Sequence, residues 1–166
     1  DDVEARTQMI LASTMAGIGF GSAGVTLPHG MSYPISGMVR DYVPDGYPSD
    51  HPIIPHGMAV TLTAPAAFRF MGPAAPRQCL RAAELMGLDV NDVELDEAGE
   101  LLAQGIARLL RDTGMPNGLS AVGYSVEDVD DLVEGVLPQH RVTKLSPRPA
   151  TADDFRAMFL DSMVNW

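Results

Sequence analysis

The feature that most constrains this fold is the run Thr7–Val39, which contains no Asp, Glu, Lys or Arg. So long an uncharged run raises the question of a membrane span, which needs about 20 apolar residues. The run is rich in Gly, Ser, Thr and Ala, is interrupted by Pro28 and Pro34, and lacks the Leu, Ile and Phe density that favours insertion. We therefore predict two helices, about Val3–Phe20 and Ala23–Val39. Each is expected to be buried on nearly all of its faces within an α-helical core.

The rest of the chain also shows helical patterns. The segment Asp41–Ile54 contains three prolines and three aspartates and is predicted to be a loop. Because no stretch of four to eight residues alternates as a strand does, the predicted fold class is all-α, a bundle of six to eight helices around one core. Further helices are predicted at Gly57–Phe70 with a kink at Pro65, at Arg77–Met86 before Gly87, at Glu94–Arg111, after a cap at Ser125 and after a cap at Thr151.

Charge and cysteine content limit the partners and the compartment. The net charge of -11 leaves no basic face, so we expect neither nucleic acid nor an anionic membrane surface as a partner. The single cysteine, Cys79, cannot form an internal disulfide, which favours a reducing compartment: the cytoplasm, or the mitochondrion if the protein is eukaryotic. The chain begins at Asp1 without an initiator Met, and its first residues have the pattern of a helix interior. We therefore expect a fragment of a longer protein.

Glycines near the start of the chain match a nucleotide-binding pattern only weakly. The segment Gly19–Gly24 has the spacing Gly-x-Gly-x-x-Gly, which acts in dinucleotide binding when a strand precedes it and an acidic residue follows about 20 positions later. Here the preceding segment is predicted to be helical, so a tight turn between helices is the favoured interpretation. The small residues Ala12, Ala16, Gly17 and Gly19 are also predicted to let the helix backbones pack closely.

The main candidate functional residues are the histidines of two His-Gly pairs that lie in apolar surroundings. His29 lies four residues before Tyr33, which places both side chains on one helix face, and His56 is predicted at the start of the next helix. The two histidines are either core residues that hydrogen-bond to backbone carbonyls or ligands of a metal ion, and spacing alone favours the core role. The other candidates have weaker support: His51 is predicted in a surface contact with Asp50, His140 on the surface, and Cys79 in packing.

Particular motifs then resemble a known family. The segments AGIGFGSAG (16–24), HGMSYPISG (29–37) and PHG (55–57) strongly resemble the C-terminal helical domain of iron-containing (group III) alcohol dehydrogenases. The form HGMSYP, the long loop before DHP (50–52), and the later AVGYS (121–125), LPQ (137–139) and RVTKL (141–145) are most similar to its hydroxyacid-oxoacid transhydrogenase branch. The resemblance covers essentially the whole chain.

The resemblance implies a metal site that is completed from elsewhere. It makes residues 1–166 the helical metal-binding domain of a two-domain α/β + α dehydrogenase, with His29 and His56 as two of four ligands of a divalent iron or zinc ion. The other two ligands, an Asp and a His, would lie upstream of residue 1, as would the N-terminal domain that binds NAD(P). The typical family has a histidine where this chain has Tyr33, so Tyr33 becomes a candidate contact for substrate or nicotinamide.

The resemblance implies that this chain is one of the two domains of a dehydrogenase. The complete protein would oxidise an alcohol or a hydroxy acid such as 4-hydroxybutyrate, and in the transhydrogenase branch would reduce an oxo acid such as 2-oxoglutarate with the nicotinamide retained. This chain alone is expected to be inactive, and its partners would be the N-terminal domain, the small substrate and, in a homo-oligomer, further copies. Arg141 and Lys144 are candidates for binding a substrate carboxylate, although surface roles are favoured. The alternative is an independent helical interaction domain with structural histidines.

Overall fold

The computed structural model of the chain describes residues 2–166, and this part of the chain forms eight α-helices and no β-strand. Short 3₁₀-helices occur at Gly72–Ala74, Ser120–Val122 and Val126–Asp128. The all-α prediction with six to eight helices is confirmed. The α-helices are α1 (Val3–Ala23), α2 (Leu27–Gly37), α3 (His56–Met71), α4 (Pro76–Leu85), α5 (Ala98–Asp112), α6 (Val129–Val136), α7 (His140–Thr143) and α8 (Ala152–Asp161).

Both predicted caps lie where helices begin. The Thr151 side chain accepts the N–H of Asp154, and Asp154 accepts the N–H of Thr151 at 2.8 Å, which forms a capping box at the start of α8. Ser125 and Asp128 form the same reciprocal pair around the 3₁₀-helix that leads into α6. The prediction for α5 starts too early, because the chain first makes a tight turn in which the N–H of Glu97 donates to the carbonyl of Glu94 at 3.1 Å.

The core is divided in two, whereas one core was predicted. The larger cluster is built mainly from α2, α3, α6 and α8, and a smaller one from α4 and α5 around Cys79 and Leu102. Phe68 of α3 packs against both clusters. Between them α3 and α5 come very close, since a Cβ on Gly72 would lie 2.5 Å from the Cα of Gly99. The two clusters are therefore joined through a backbone contact as well as through side chains.

Helix α1 corrects the prediction of two fully buried helices. No residue of α1 is buried, its apolar residues are spread around all its faces, and it does not pack along another helix within residues 2–166. Ile10 and Ile18, for example, are 68% and 70% exposed. The prediction was right about the apolar character and wrong about its burial, because the described part of the chain provides no surface against α1. Helix α2 is the buried member of the pair.

The glycines of the nucleotide-like pattern are also placed differently from the prediction. Gly19 and Gly21 lie inside α1, which runs to Ala23, and a Cβ on either, or on Gly17, would meet no atom within 4 Å. They neither form the turn nor allow close packing in residues 2–166. The turn into α2 uses Gly24, which has a φ of +79° and leaves room for the Leu145 side chain, whose Cδ1 would lie 2.4 Å from an added Cβ.

The charge-free run is divided between two helices that meet at a sharp bend. Within residues 2–166 no single helix is long and apolar enough to cross a membrane. Helices α1 and α2 meet that criterion only when taken together, and their axes are bent by 110° relative to each other.

Candidate functional site

Two histidines from different helices face each other at the start of α2 and α3. The ring centres of His29 and His56 lie 5.3 Å apart with 60° between the ring planes. The ring of Tyr33, one turn further along α2, stacks on His56 at 6.3 Å and 21°. The structure therefore brings together the three residues that the sequence analysis singled out.

These rings line an open cleft of about 450 Å³ between the end of α1, α2, α3 and α7. One wall is apolar and includes Val142 and Leu145. The lining contains one residue with a permanent positive charge, Arg141, and no Asp or Glu. The remaining lining residues are Phe20, Gly21, Gly24, Val25, His29, Tyr33 and His56.

His29 is fixed by the first turn of α2. The carbonyl of Thr26 accepts the N–H groups of His29 at 3.1 Å and Gly30 at 3.2 Å, and Pro28 occupies an early helix position where a missing N–H costs nothing. The Ser32 hydroxyl donates to the carbonyl of His29 at 2.8 Å. These local bonds make His29 part of a rigid helix start, with the imidazole half-buried.

His56 is positioned by the loop that precedes it. Ile54 is buried in the larger cluster, and its carbonyl accepts a hydrogen bond from the Ser36 hydroxyl of α2 at 3.2 Å. Pro55 is the N-cap residue of α3, and its carbonyl accepts the N–H of Ala59 at 3.0 Å. The loop before His56 is thereby attached to α2, the helix that carries His29. This attachment helps to position the two imidazoles relative to each other. Sequence analysis missed Ser36, because nothing local distinguishes it from a surface serine.

Helix α7 brings Arg141 to the cleft. A Cβ on Gly30 would lie 2.7 Å from Cγ2 of Thr143, so this glycine allows α7 to lie directly against α2. Val142 is buried beside it, and the neighbouring Arg141 donates from Nη2 to the hydroxyl of Tyr33 at 3.3 Å. Lys144, the other cation considered from the sequence, is exposed and does not line the cleft.

The environment of His29 favours its neutral form. Partial burial, and secondarily the charge of the neighbouring His56, hold the pKa of His29 below its ordinary value of 6.5. A neutral imidazole has a lone pair available for a metal ion or a proton.

The two imidazoles fit half of a metal shell. With metal–nitrogen bonds of about 2.1 Å at a roughly tetrahedral angle, two coordinated rings would have centres about 5 Å apart, close to the observed 5.3 Å. Within residues 2–166, however, no group of three or more His, Cys, Asp or Glu side chains is close enough to hold an ion. The same ring separation also suits an edge-to-face aromatic contact.

The weaker candidates lie away from the cleft lining. Nδ1 of His51 lies 2.8 Å from the Asp50 carboxylate on the exposed loop, as predicted. His140 is exposed at the start of α7. Cys79 is buried in the smaller cluster, where burial raises the pKa of its thiol, so it has the packing role that was predicted rather than that of a thiolate nucleophile.

Comparison with known proteins extends over nearly the whole chain. A sequence profile of the Fe-containing alcohol dehydrogenase family, C-terminal, matches residues 1–163. The mitochondrial hydroxyacid-oxoacid transhydrogenases of Bos taurus and Homo sapiens are each 50% identical to it over 163 residues, covering 98% of this chain and 35% of the relative. The probable hydroxyacid-oxoacid transhydrogenase of Dictyostelium discoideum is 50% identical over 165 residues, 99% of this chain and 30% of that protein. The chain spans about a third of the length of these curated relatives.

Solved structures show the same helical arrangement. A 1,3-propanediol oxidoreductase superposes with a TM-score of 0.83 at 26% identity, covering 98% of this chain and 39% of that one. The alcohol dehydrogenase from Oenococcus oeni superposes with a TM-score of 0.82, also at 26% identity, covering 97% of this chain and 38% of that one. The predicted resemblance and the fold are both confirmed.

Proposed function

This chain belongs to the Fe-containing alcohol dehydrogenase family, to its C-terminal part, and from that membership we propose that His29 and His56 are two ligands of a divalent metal ion. We further propose that the chain is the metal-binding half of an NAD(P)-linked alcohol or hydroxy-acid dehydrogenase, or of a hydroxyacid-oxoacid transhydrogenase. The observation that carries this proposal is the 5.3 Å approach of two imidazoles from separate helices in an open cleft.

The donor set indicates where the rest of the site comes from. Two imidazoles are too few for a stable ion, because protein-bound metals of this kind take at least three protein ligands. Further donors are needed, and from the resemblance to the family we propose that they are an Asp and a His from the part of the enzyme preceding this chain. Iron and zinc both accept imidazole ligands, so the histidines leave the choice of metal open.

The residues of the cleft have separable tasks. A bound divalent ion supplies Lewis-acid polarisation of the substrate oxygen, and a nicotinamide supplies hydride exchange. His29 and His56 orient the reacting end of the substrate from rigid helix starts. Val142 and Leu145 supply an apolar wall beside it. Tyr33, stacked on His56, is positioned to contact the substrate or the nicotinamide.

The remaining proposals concern the complete protein. We propose that an N-terminal nucleotide-binding domain supplies most of the NAD(P) site and covers α1, whose apolar surface is exposed in residues 2–166. The names of the relatives place those proteins in mitochondria. For this protein we propose a reducing compartment, the cytoplasm or, in a eukaryote, the mitochondrion.

A second function has one observation in its favour. Within residues 2–166 the histidine pair lacks a third donor, and its geometry also suits an aromatic contact. An independent helical interaction domain would use the pair only for packing. In that case removal of either imidazole would change stability and leave metal content unaffected.

Metal analysis of the full-length protein separates the two functions. The wild-type protein is expected to bind about one divalent ion per chain, and His29→Ala or His56→Ala to lose most of it together with dehydrogenase activity, because each removes one ligand. His140→Ala, on an exposed helix start outside the cleft lining, is the control and should retain both. An active preparation without stoichiometric metal would refute the proposal.

The isolated 166-residue chain gives a separate prediction. With only two donors it should bind a divalent ion weakly, and without the nucleotide-binding domain it should have no dehydrogenase activity. Calorimetric titration with Zn²⁺ and an assay of NAD(P)H formation check both points. Turnover by the homogeneous chain would show that the site is complete without a further domain.

A further inference from the structure

We propose that Arg141, held in place by Tyr33, binds a carboxylate of the substrate and so makes the cleft selective for hydroxy acids and oxo acids over neutral alcohols. This inference rests on the proposed function of the same cleft. Arg141 and Tyr33 are 108 positions apart in the sequence and come together only in the folded chain.

The charge distribution supports an anionic ligand. The chain has 22 acidic residues against 11 Lys and Arg, yet the cleft lining contains no acidic residue and one guanidinium. In a chain with this much negative charge, a cleft that is lined by a guanidinium and by no carboxylate is a favourable place for a negative charge. A guanidinium matches the two oxygens of a carboxylate with two parallel donors, which a neutral alcohol does not use.

Arg141 also retains donors for a ligand. Arg69 has two carboxylate partners, Glu100 and Asp161, each within 3 Å. In the described part of the chain Arg141 has no carboxylate within 4 Å, and its one side-chain hydrogen bond, to Tyr33, uses one of five N–H donors. Arg141 is exposed and lines a cleft of about 450 Å³, so its remaining donors are accessible to a ligand.

Packing places the helix that carries Arg141 next to the imidazoles. Val142 is buried, and the close approach of α7 to Gly30 places α7 beside His29. Tyr33 makes the second connection, since it accepts from Arg141 and stacks on His56. Because Arg141 and both imidazoles line the same cleft, a substrate held there can present a carboxylate to the guanidinium.

A phosphate of the nicotinamide dinucleotide offers the same anionic chemistry, and kinetics distinguish the two sources. In the full-length enzyme Arg141→Gln is expected to raise the KM for 4-hydroxybutyrate roughly 10- to 100-fold, the range expected for losing a charged hydrogen bond. The KM for butane-1,4-diol, which has the same carbon chain without the carboxylate, and the KM for NAD(P) should change less than about threefold. Arg77→Gln, which removes an exposed arginine on α4, is the matched charge control and should change none of them.

A binding measurement tests the proposal without turnover. Succinate, which the reaction cannot oxidise, should bind the full-length protein by calorimetry, and roughly 10-fold or more weaker after Arg141→Gln. If that variant has a lower thermal midpoint than Arg77→Gln, Arg141→Lys replaces it and should keep part of the succinate affinity. Unchanged succinate binding, an equal KM rise for acid and diol, or a rise confined to NAD(P) would each overturn the proposal. Absence of metal-dependent turnover in the wild type would overturn the proposed function instead, and succinate binding would still decide the role of Arg141.

Discussion

Asp128 is a buried carboxylate at which two distant parts of the chain meet. It accepts from Nη1 of Arg40 at 3.3 Å, also from Nη2, and from the backbone N–H of Ser125 at 2.8 Å. Arg40 in turn lies 6.0 Å from the ring centre of Tyr124, whose hydroxyl donates to the carbonyl of Ile35 at 2.6 Å. That carbonyl lies in the last turn of α2, where helices leave acceptors unpaired. The Asp128 cluster thus ties the end of α2 to the start of α6.

This arrangement gives a pH-dependent contribution to stability. The hydrogen bond from Arg40, followed by those from Ser125, holds the pKa of Asp128 below its ordinary value of 3.8. Its contribution to the free energy of unfolding is therefore fully present above about pH 5 and is lost as the pH falls through the lowered folded-state pKa. Asp128→Asn should destabilise the protein at pH 7 by about 1 kcal/mol and flatten this decline. Urea unfolding between pH 7 and pH 3 measures both effects.

A matched control is Asp130→Asn, two residues away. Asp130 pairs with Arg156, and both side chains are largely exposed, so the pair contributes little. That variant should unfold near the wild-type midpoint and keep the acid decline. An equally steep decline in Asp128→Asn would mean that other carboxylates cause it.

Some contacts of the site can be predicted from the sequence alone, and others cannot. His29 and Tyr33 share a face because they are four apart on one helix, and the resemblance adds His56. The Ser36 bond to Ile54 and the Arg141 bond to Tyr33 were not predicted, because they depend on how α2 meets the loop and α7 in space. Arg141 was considered from sequence, but only the fold brings it and not Lys144 into the cleft.

At the scale of elements, the contact between the end of α3 and the start of α5 depends on two facing glycines, Gly72 directly after α3 and Gly99 in the first turn of α5. A Cβ on Gly72 would lie 2.5 Å from the Cα of Gly99, and one on Gly99 would lie 2.8 Å from the carbonyl oxygen of Phe68. The atoms in the way are backbone, so no rotamer change relieves the contact. This contact joins the two core clusters, and any separation of the helices would open both.

We therefore expect Gly72→Ala to destabilise the protein by about 1–3 kcal/mol, the usual range for overpacking. Urea unfolding monitored by circular dichroism checks this value. Gly57→Ala, in the first turn of α3, is the control: an added Cβ meets nothing within 4 Å, so it should be neutral or stabilising by up to about 1 kcal/mol. Equal midpoints for the two variants would contradict the close contact.

Helices with a clear amphipathic pattern or a capping residue were predicted from the sequence. Elements without such a pattern were not. Helix α5 has a clear polar and apolar face, and the caps at Ser125 and Thr151 have side chains that accept backbone N–H groups. Helix α7 was missed because four residues are too few to show a period. The glycines at 72 and 99 gave no sequence signal for a contact, since it arises only when α3 and α5 are packed.

At the scale of the whole molecule, the main mismatch is the position of α1. An apolar composition predicts burial, but it does not say against what, and within residues 2–166 nothing covers this helix. Exposed apolar surface on this scale is characteristic of contact sites. The net charge of -11 opposes association between copies at long range and is screened by salt.

We expect the isolated chain to self-associate through α1, increasingly so as salt screens its charge, because burial of apolar surface favours contact. Sedimentation velocity at several protein and salt concentrations measures this. The pair Ile10→Lys and Ile18→Lys should shift the protein towards monomer, because each puts a charge on an exposed apolar site of α1.

The direction of the charge change makes this test specific. The two lysines lower the net negative charge, so they reduce repulsion between copies and would increase association if charge alone controlled it. The control pair, Val126→Lys and Val164→Lys, makes the same charge change at exposed valines outside α1 and should associate at least as strongly as the wild type. If both pairs behave alike, or if the wild-type chain remains monomeric in high salt, α1 is not the contact surface.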